Sequence, residues 1–193
     1  MRYAPAILLA RILRWGIRRV RTGGGSALPG VLLHKLAPGI LANVLGSFQQ
    51  GLVVITGSAG KSTTTKMAVA ILRAHGIEVF TNPSTANILQ GFYSTIAAEA
   101  SLRGKVNGQI AVLEMDEGHA AELVRLVKPR QSVILNVVED QLDRFIDPAF
   151  VAEKLEAVAR ATSERVHLNA DDQNLVPFGG SLQASVSWFG LSE

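Results

Sequence analysis

From residue 52 to residue 189 the chain repeats one unit, a short apolar run followed by a polar loop and a helical stretch. The runs 52–56 (LVVIT), 77–80 (IEVF), 109–114 (QIAVLE), 131–135 (QSVIL), 165–168 (RVHL) and 184–189 (ASVSWF) predict strands. The stretches between them predict helices over 61–75, 87–103, 118–127, 148–162 and 172–177. Strands that are apolar on successive residues leave neither face for water, so both faces must be covered. A helix between each pair of strands supplies the cover and the crossover that parallel neighbours require. The expected fold is α/β, a mostly parallel sheet with helices on both faces. Ligands of such sheets lie at the carboxyl ends of the strands. The loops at 57–63, 81–87, 114–118 and 136–147 are therefore where chemistry is expected.

The first of these loops carries the strongest signal. "VVITGSAGKSTTT" (53–65) runs from an apolar strand into Gly57, Ser58, Ala59 and Gly60, then Lys61, Ser62 and Thr63. Small residues let backbone N–H groups curl around phosphate oxygens, and the start of the following helix adds its dipole. Lys61 brings a point charge suited to β and γ phosphates, and Ser62 a hydroxyl suited to Mg²⁺. The pattern is GxxGKS, not the full GxxxxGK[ST], whose first glycine would fall on Ile55. The plainer alternative is a strand-to-helix turn with a capping serine.

Two further loops are acidic. "AVLEMDEGH" places Glu114 at a strand's carboxyl end, a position suited to holding Mg²⁺, with Asp116 and Glu117 after it. The last two serve equally well as acids at a helix start. "LNVVEDQLDRF" (135–145) gathers Asn136, Asp140, Gln141 and Asp143 at the same sheet edge, where a solvated loop is the alternative. The four histidines show no ligand spacing, and the absence of cysteine excludes disulfides and thiolate chemistry within these residues.

Charge is unevenly spread. Residues before Glu78 carry ten Lys and Arg and no acid, and the remainder carries nine bases against sixteen acids. Such a basic start suits nucleic acid, an anionic membrane or phosphorylated ligands. No aromatic platform or recognised motif supports nucleic acid, which is not expected as a partner. "ILLARILRWGIRRVR" (7–21) predicts an amphipathic helix with Leu9, Ile12, Leu13, Ile17 and Val20 on one face and Arg11, Arg14, Arg18 and Arg21 opposite. It reads either as a surface helix packed on its own protein or as an interfacial helix on anionic lipid. "RTGGGSALPG" (21–30) predicts a flexible connection or tight turn, and 37–46 a short helix. The expected division is residues 1–47 as an N-terminal helical extension and 48–193 as the ligand-binding domain.

Loop by loop, these residues resemble the central ATP-binding domain of the Mur ligases. "GSAGKSTTT" is similar to their GTNGKTTT, "LNVVEDQLDRF" to their N-x-x-x-D-[HQ]-[LM]-D-R loop, and "LNADD" (168–172) to a segment they share. Within the family "GGGSALPG", "TNPSTANILQGF" (81–92) and Gln141 resemble the MurT branch, the ligase subunits of lipid II isoglutaminyl synthases. The resemblance, over about residues 21–190, implies an ATP-dependent carbon–nitrogen ligase of peptidoglycan synthesis. Its acceptor would be the α-carboxyl of D-glutamate in lipid II, amidated to D-isoglutamine with ammonia from a partner glutaminase of GatD type. ATP and Mg²⁺ would be the cofactors, and the location cytoplasmic, with a peripheral place on the inner face of the plasma membrane. By position, Gly57 to Thr63 would hold the triphosphate, with Asn82 and Asn87 on the γ-phosphate side. Ser62 and Glu114 would hold Mg²⁺. Asp140, Gln141 and Asp143 would complete the surroundings or a second metal position, and Lys154 would match a carbamoylated lysine. Family members use a further C-terminal domain, with a catalytic aspartate, so residues 1–193 are expected to bind ATP without completing amidation. Other Mur-like ligases, of folylpolyglutamate or cyanophycin type, and a non-catalytic nucleotide-binding module are the alternatives.

Overall fold

The computed structural model of the chain describes residues 2–20, 28–82, 89–137 and 148–191. Its centre is a six-stranded sheet in the order β2-β3-β1-β4-β5-β6, with every pairing parallel. The strands are β1 (Leu52–Thr56), β2 (Val79–Thr81), β3 (Ile110–Glu114), β4 (Gln131–Ile134), β5 (Arg165–Asn169) and β6 (Ser185–Phe189). The helices are α1 (Ala4–Val20), α2 (Leu28–Leu36), α3 (Ile40–Leu45), α4 (Lys61–Ala74), α5 (Leu89–Glu99), α6 (Glu117–Leu123) and α7 (Pro148–Ala161). Every predicted strand is present.

Successive strand residues point to opposite faces, and each face has its own apolar core. Ile55, Ile110 and Val112 meet Val69 of α4 on one side. Leu52, Val54, Ala111 and Leu113 meet α3, α5 and α6 on the other, where Ile7 and Ala10 of α1 and Leu33 of α2 share the same core. A third cluster seats α7 on β4 and β5 through Leu155, Ala159, Val166 and Leu168. β1 lies between β3 and β4, so the chain leaves it in one direction and later crosses to its other side. That reversal is where an open parallel sheet forms its ligand crevice.

Three sequence expectations need correction. β2 begins at Val79, not at residue 77, because α4 ends in a glycine cap that uses Ile77. Gly76 has φ +76°, its N–H reaches the Arg73 carbonyl at 2.9 Å, and the Ile77 N–H reaches Leu72 at 3.1 Å. The helix expected over 172–177 is replaced by a turn and a short 3₁₀ segment, Val176–Gly180. Asp172 makes the turn, with its carboxylate accepting the Asn174 N–H at 2.9 Å. The flexible connection or tight turn expected over 21–30 fails at its last three residues, since Leu28, Pro29 and Gly30 form the first turn of α2. Proline is tolerated there because a first-turn N–H has no helical acceptor. Residues 21–27 lie outside the described residues.

The faces of α1 are also rotated from the expectation. Ala6, Ile7 and Ala10 are buried, whereas Leu8, Leu9, Ile12 and Trp15 are exposed. Arg11 turns inward. Its Nε donates to the Ala97 carbonyl at 2.8 Å and its Nη2 to Ala98 at 3.2 Å and to the Ala100 carbonyl, all at the end of α5. Those carbonyls have no partner within their helix, and a cation there also suits the helix dipole. Arg14 lies near Glu99, whose carboxyl burial pushes up while Arg14 pulls it down. Arg11→Met keeps the aliphatic stem and removes the donors, so it should lower stability by about 1.5 kcal/mol. A urea midpoint equal to that of the wild type would show that the contacts contribute nothing.

Candidate phosphate-binding site

β1 ends at Thr56 and the chain turns through Gly57–Gly60 into α4. Gly57 has φ +128° and Gly60 +83°, values that side-chain-bearing residues rarely adopt. A Cβ at Gly57 would come within 2.9 Å of the Asn136 backbone nitrogen, so space and conformation both require glycine.

The loop is gripped from the adjacent strand end. The Asn136 carbonyl accepts the Ser58 N–H at 3.0 Å. Its side chain accepts the Ala59 N–H at 2.8 Å and donates to the Ala59 carbonyl at 3.2 Å. Asn136 is in turn held by the segment after β5: Asp172 accepts the Val137 N–H at 2.6 Å, and Asn169 donates to the Leu135 carbonyl at 3.1 Å. Asn136 is one of the sequence candidates. Asn169 and Asp172 are not, although both lie at the end of β5 within the quoted "LNADD", the one signal that could have found them.

Because Asn136 engages the N–H groups of Ser58 and Ala59, the N–H groups left open toward an anion are those of the next residues. The N–H groups of Lys61, Ser62 and Thr63 open α4 and have no acceptor in their own helix. The Lys61 ammonium donates to the Gly57 carbonyl at 2.6 Å and to the Ser58 carbonyl at 3.3 Å. It also faces Asp116 at 3.4 Å and Glu117 at 3.8 Å.

Register brings the metal candidates together. Ile55 is paired with Glu114, so the end of β3 stands level with the end of β1 and beside the first turn of α4. The Ser62 hydroxyl donates to Glu114 Oε1 at 2.6 Å. Glu114 is buried, and its backbone is held on both sides by Asn82: Asn82 Nδ2 donates to the Glu114 carbonyl at 3.0 Å and Oδ1 accepts its N–H at 2.9 Å. Asn82 thus continues the β2–β3 pairing by a side chain and fixes where the carboxylate stands.

The remaining candidates divide. Lys154 lies on α7, with its ammonium 3.1 Å from Glu153 and 4.4 Å from the centre of the Phe150 ring. Asn87, Asp140, Gln141 and Asp143 lie outside the described residues. Among the described residues no three carboxylates or histidines converge on one point. A divalent cation beside Ser62 and Glu114 would therefore be the kind that uses few protein ligands and completes its shell with phosphate oxygens and water, as Mg²⁺ does. The pair fits that ion, since adjacent oxygens of its octahedron are about 2.9 Å apart, close to the present separation.

A parallel sheet, a glycine turn after β1 and a Lys-Ser helix start define a phosphate-loop α/β domain. A family model described as the Mur ligase middle domain matches residues 55–191, and the chain belongs to the Mur ligase family. Among its relatives is the MurT subunit of the glutamine-hydrolysing lipid II isoglutaminyl synthase of Streptococcus pneumoniae. It is 36% identical over 153 residues, which are 78% of this chain and 33% of the relative. The MurT subunit of Staphylococcus aureus (strain COL) is 31% identical over 172 residues, 89% of this chain and 38% of that one. The chain spans about a third of the length of these relatives. Among solved structures, the MurF ligase of Thermotoga maritima in complex with ADP is similar with a TM-score of 0.68 and 26% identity, over 84% of this chain and 36% of that one.

Proposed function

We propose that the chain is the ATP-binding part of a MurT-type amide ligase. In this reading it activates the α-carboxyl of D-glutamate in lipid II, which ammonia from a GatD-type glutaminase then converts to D-isoglutamine. The observation that carries it is the Ser62–Glu114 pair standing beside Lys61 at the start of α4, in a chain similar to two MurT subunits. Gly60, Lys61, Ser62 and Thr63 bind the phosphates, while Gly57, Ser58 and Ala59 shape the loop and Asn136 holds it. Lys61 exchanges its loop carbonyls and the facing carboxylates for phosphate oxygens. Asn82 orients Glu114, and Asn87, Asp140, Gln141, Asp143 and Lys154 remain candidates for the γ-phosphate and acceptor side. Mg²⁺ held by Ser62 and Glu114 would neutralise charge on the phosphates. The proposed location is the cytoplasm.

The activity is tested on the complete gene product with its glutaminase, glutamine, ATP and lipid II, by mass spectrometry of the stem peptide. Exchange of the carboxyl hydroxyl for an amino group is expected; ATP consumption without that exchange would point to a different acceptor. The metal assignment has its own measurement. Glu114→Gln keeps an acceptor for the Ser62 hydroxyl but loses the charge. It should cut the affinity that Mg²⁺ adds to ATP binding by about tenfold or more, since even supporting contacts of a metal site are worth that much. An unchanged Mg²⁺ titration would make Glu114 a purely structural residue.

A further inference from the structure

The outward face of α1 has no use in the site described above. Leu8, Ile12 and Trp15 recur at helical spacing along one stripe, with Leu9 beside it, and these four side chains are 46–63% exposed. Arg19 continues the stripe and lies over the Trp15 ring, 4.1 Å from its centre. Arg2 and Arg18 are exposed near the two ends of the helix. The helix cannot turn to hide this face. Ala6, Ile7 and Ala10 are buried in the core, and Arg11 is tied to the carbonyls that end α5.

We propose that this face seats the protein on an anionic lipid surface, with α1 lying in the plane of the headgroups. Large apolar side chains with arginine at the margin match a layer whose interior is hydrocarbon and whose surface is negative. Tryptophan suits that boundary, having an apolar body and one polar N–H. The charge of the helix agrees: α1 carries Arg11, Arg14, Arg18 and Arg19 and no acid, and Arg2 precedes it. A planar anionic surface therefore attracts α1. A second copy of α1 would offer these arginines no acid, since the helix carries none. Among the described residues no helix is long and apolar enough to cross a membrane, so the contact is peripheral. It stands independently of the nucleotide assignment, because none of these residues belongs to the phosphate loop.

The test is co-sedimentation of the full chain with vesicles of phosphatidylglycerol and phosphatidylcholine, against vesicles of phosphatidylcholine alone. Emission from Trp15 is read in a Trp188→Phe background, since Trp15 and Trp188 are the two tryptophans. Binding should favour the anionic vesicles, weaken with salt and shift Trp15 emission to the blue. Arg18→Gln with Arg19→Gln should cost about 25-fold in partitioning, roughly fivefold for each basic side chain near such a surface. Ile12→Asp should abolish binding, with ATP affinity and thermal transition retained. If Ile12→Asp does not fold, the exposed arginine pair still carries the test. Equal binding to both vesicles, binding to neither, or variants that bind like the wild type would overturn the proposal. So would a dimer in light scattering that Ile12→Asp dissociates, which would make the face a contact between copies.

Discussion

Lys61→Ala is expected to weaken ATP binding by about 10- to 150-fold, the equivalent of one charge-assisted contact of roughly 1.5–3 kcal/mol. The geometry places the loss toward the upper end of that range. Lys61 is the cation facing Asp116 and Glu117, and Glu114 stands across Ser62. Removing the ammonium deletes an attraction to phosphate and leaves these carboxylates beside it. Two calorimetric titrations separate the effects. Lys61→Ala alone should show the full loss, and Lys61→Ala with Asp116→Asn should regain part of it if repulsion contributes. Wild-type affinity in Lys61→Ala would remove the phosphate-loop assignment, whatever the sequence pattern suggests.

The largest stability effect is expected far from that loop, at Gly30. α2 crosses α5 so closely that a Cβ on Gly30 would overlap the Gln90 carbonyl oxygen and come within 2.8 Å of the Ser94 nitrogen. Both are backbone atoms, so no side-chain rotation relieves the overlap. One turn further along, His34 stacks on Tyr93 with ring centres 4.5 Å apart, and Tyr93 donates to the Pro38 carbonyl at 2.8 Å. Separating the helices to admit a methyl group would disturb both contacts. Two effects oppose each other in Gly30→Ala. Alanine favours a helix over glycine by about 1 kcal/mol. Overpacking against immovable atoms costs about 3 kcal/mol or more. The net loss should be about 2 kcal/mol, which for a chain of this size lowers Tm by roughly 4–8 °C. Gly30→Leu should be worse. A Tm equal to or above the wild type in Gly30→Ala would mean that the helices are not held so close.

The sheet was legible in the sequence because its strands are apolar on both faces. Val53, Val54 and Ile55 have no polar alternate, and that alone excludes a half-solvated sheet. Ser62 and Glu114 were legible because each follows from a strand end, one just after β1 and one closing β3. What escaped was decided by contacts distant in sequence or by small residues. In α1 the Leu, Ile and Trp side chains dominate any periodicity, yet the helix packs through Ala6, Ile7 and Ala10, whose modest size permits close approach. Arg11 has the pattern of a solvent-facing charge, and only the fold brings the carbonyls that end α5 within reach of its guanidinium. Pro29 and Gly30 look like breakers, but one falls where proline is tolerated in a helix and the other where another helix needs the room. Glu114 is conspicuous in the sequence for its carboxylate alone. The amide of Asn82 that orients it lies 32 residues earlier, and no local pattern announces the pairing.

Asn136 touches Ala59 only through main-chain atoms, accepting from its nitrogen and donating to its oxygen. The side chain at position 59 is exposed and takes no part. A change of side chain at this position, from asparagine to alanine or beyond, therefore leaves both of these hydrogen bonds available to hold the curve of the loop. A motif written in side chains will rank such a loop as degenerate. The feature that shapes this loop is the distant asparagine that grips it.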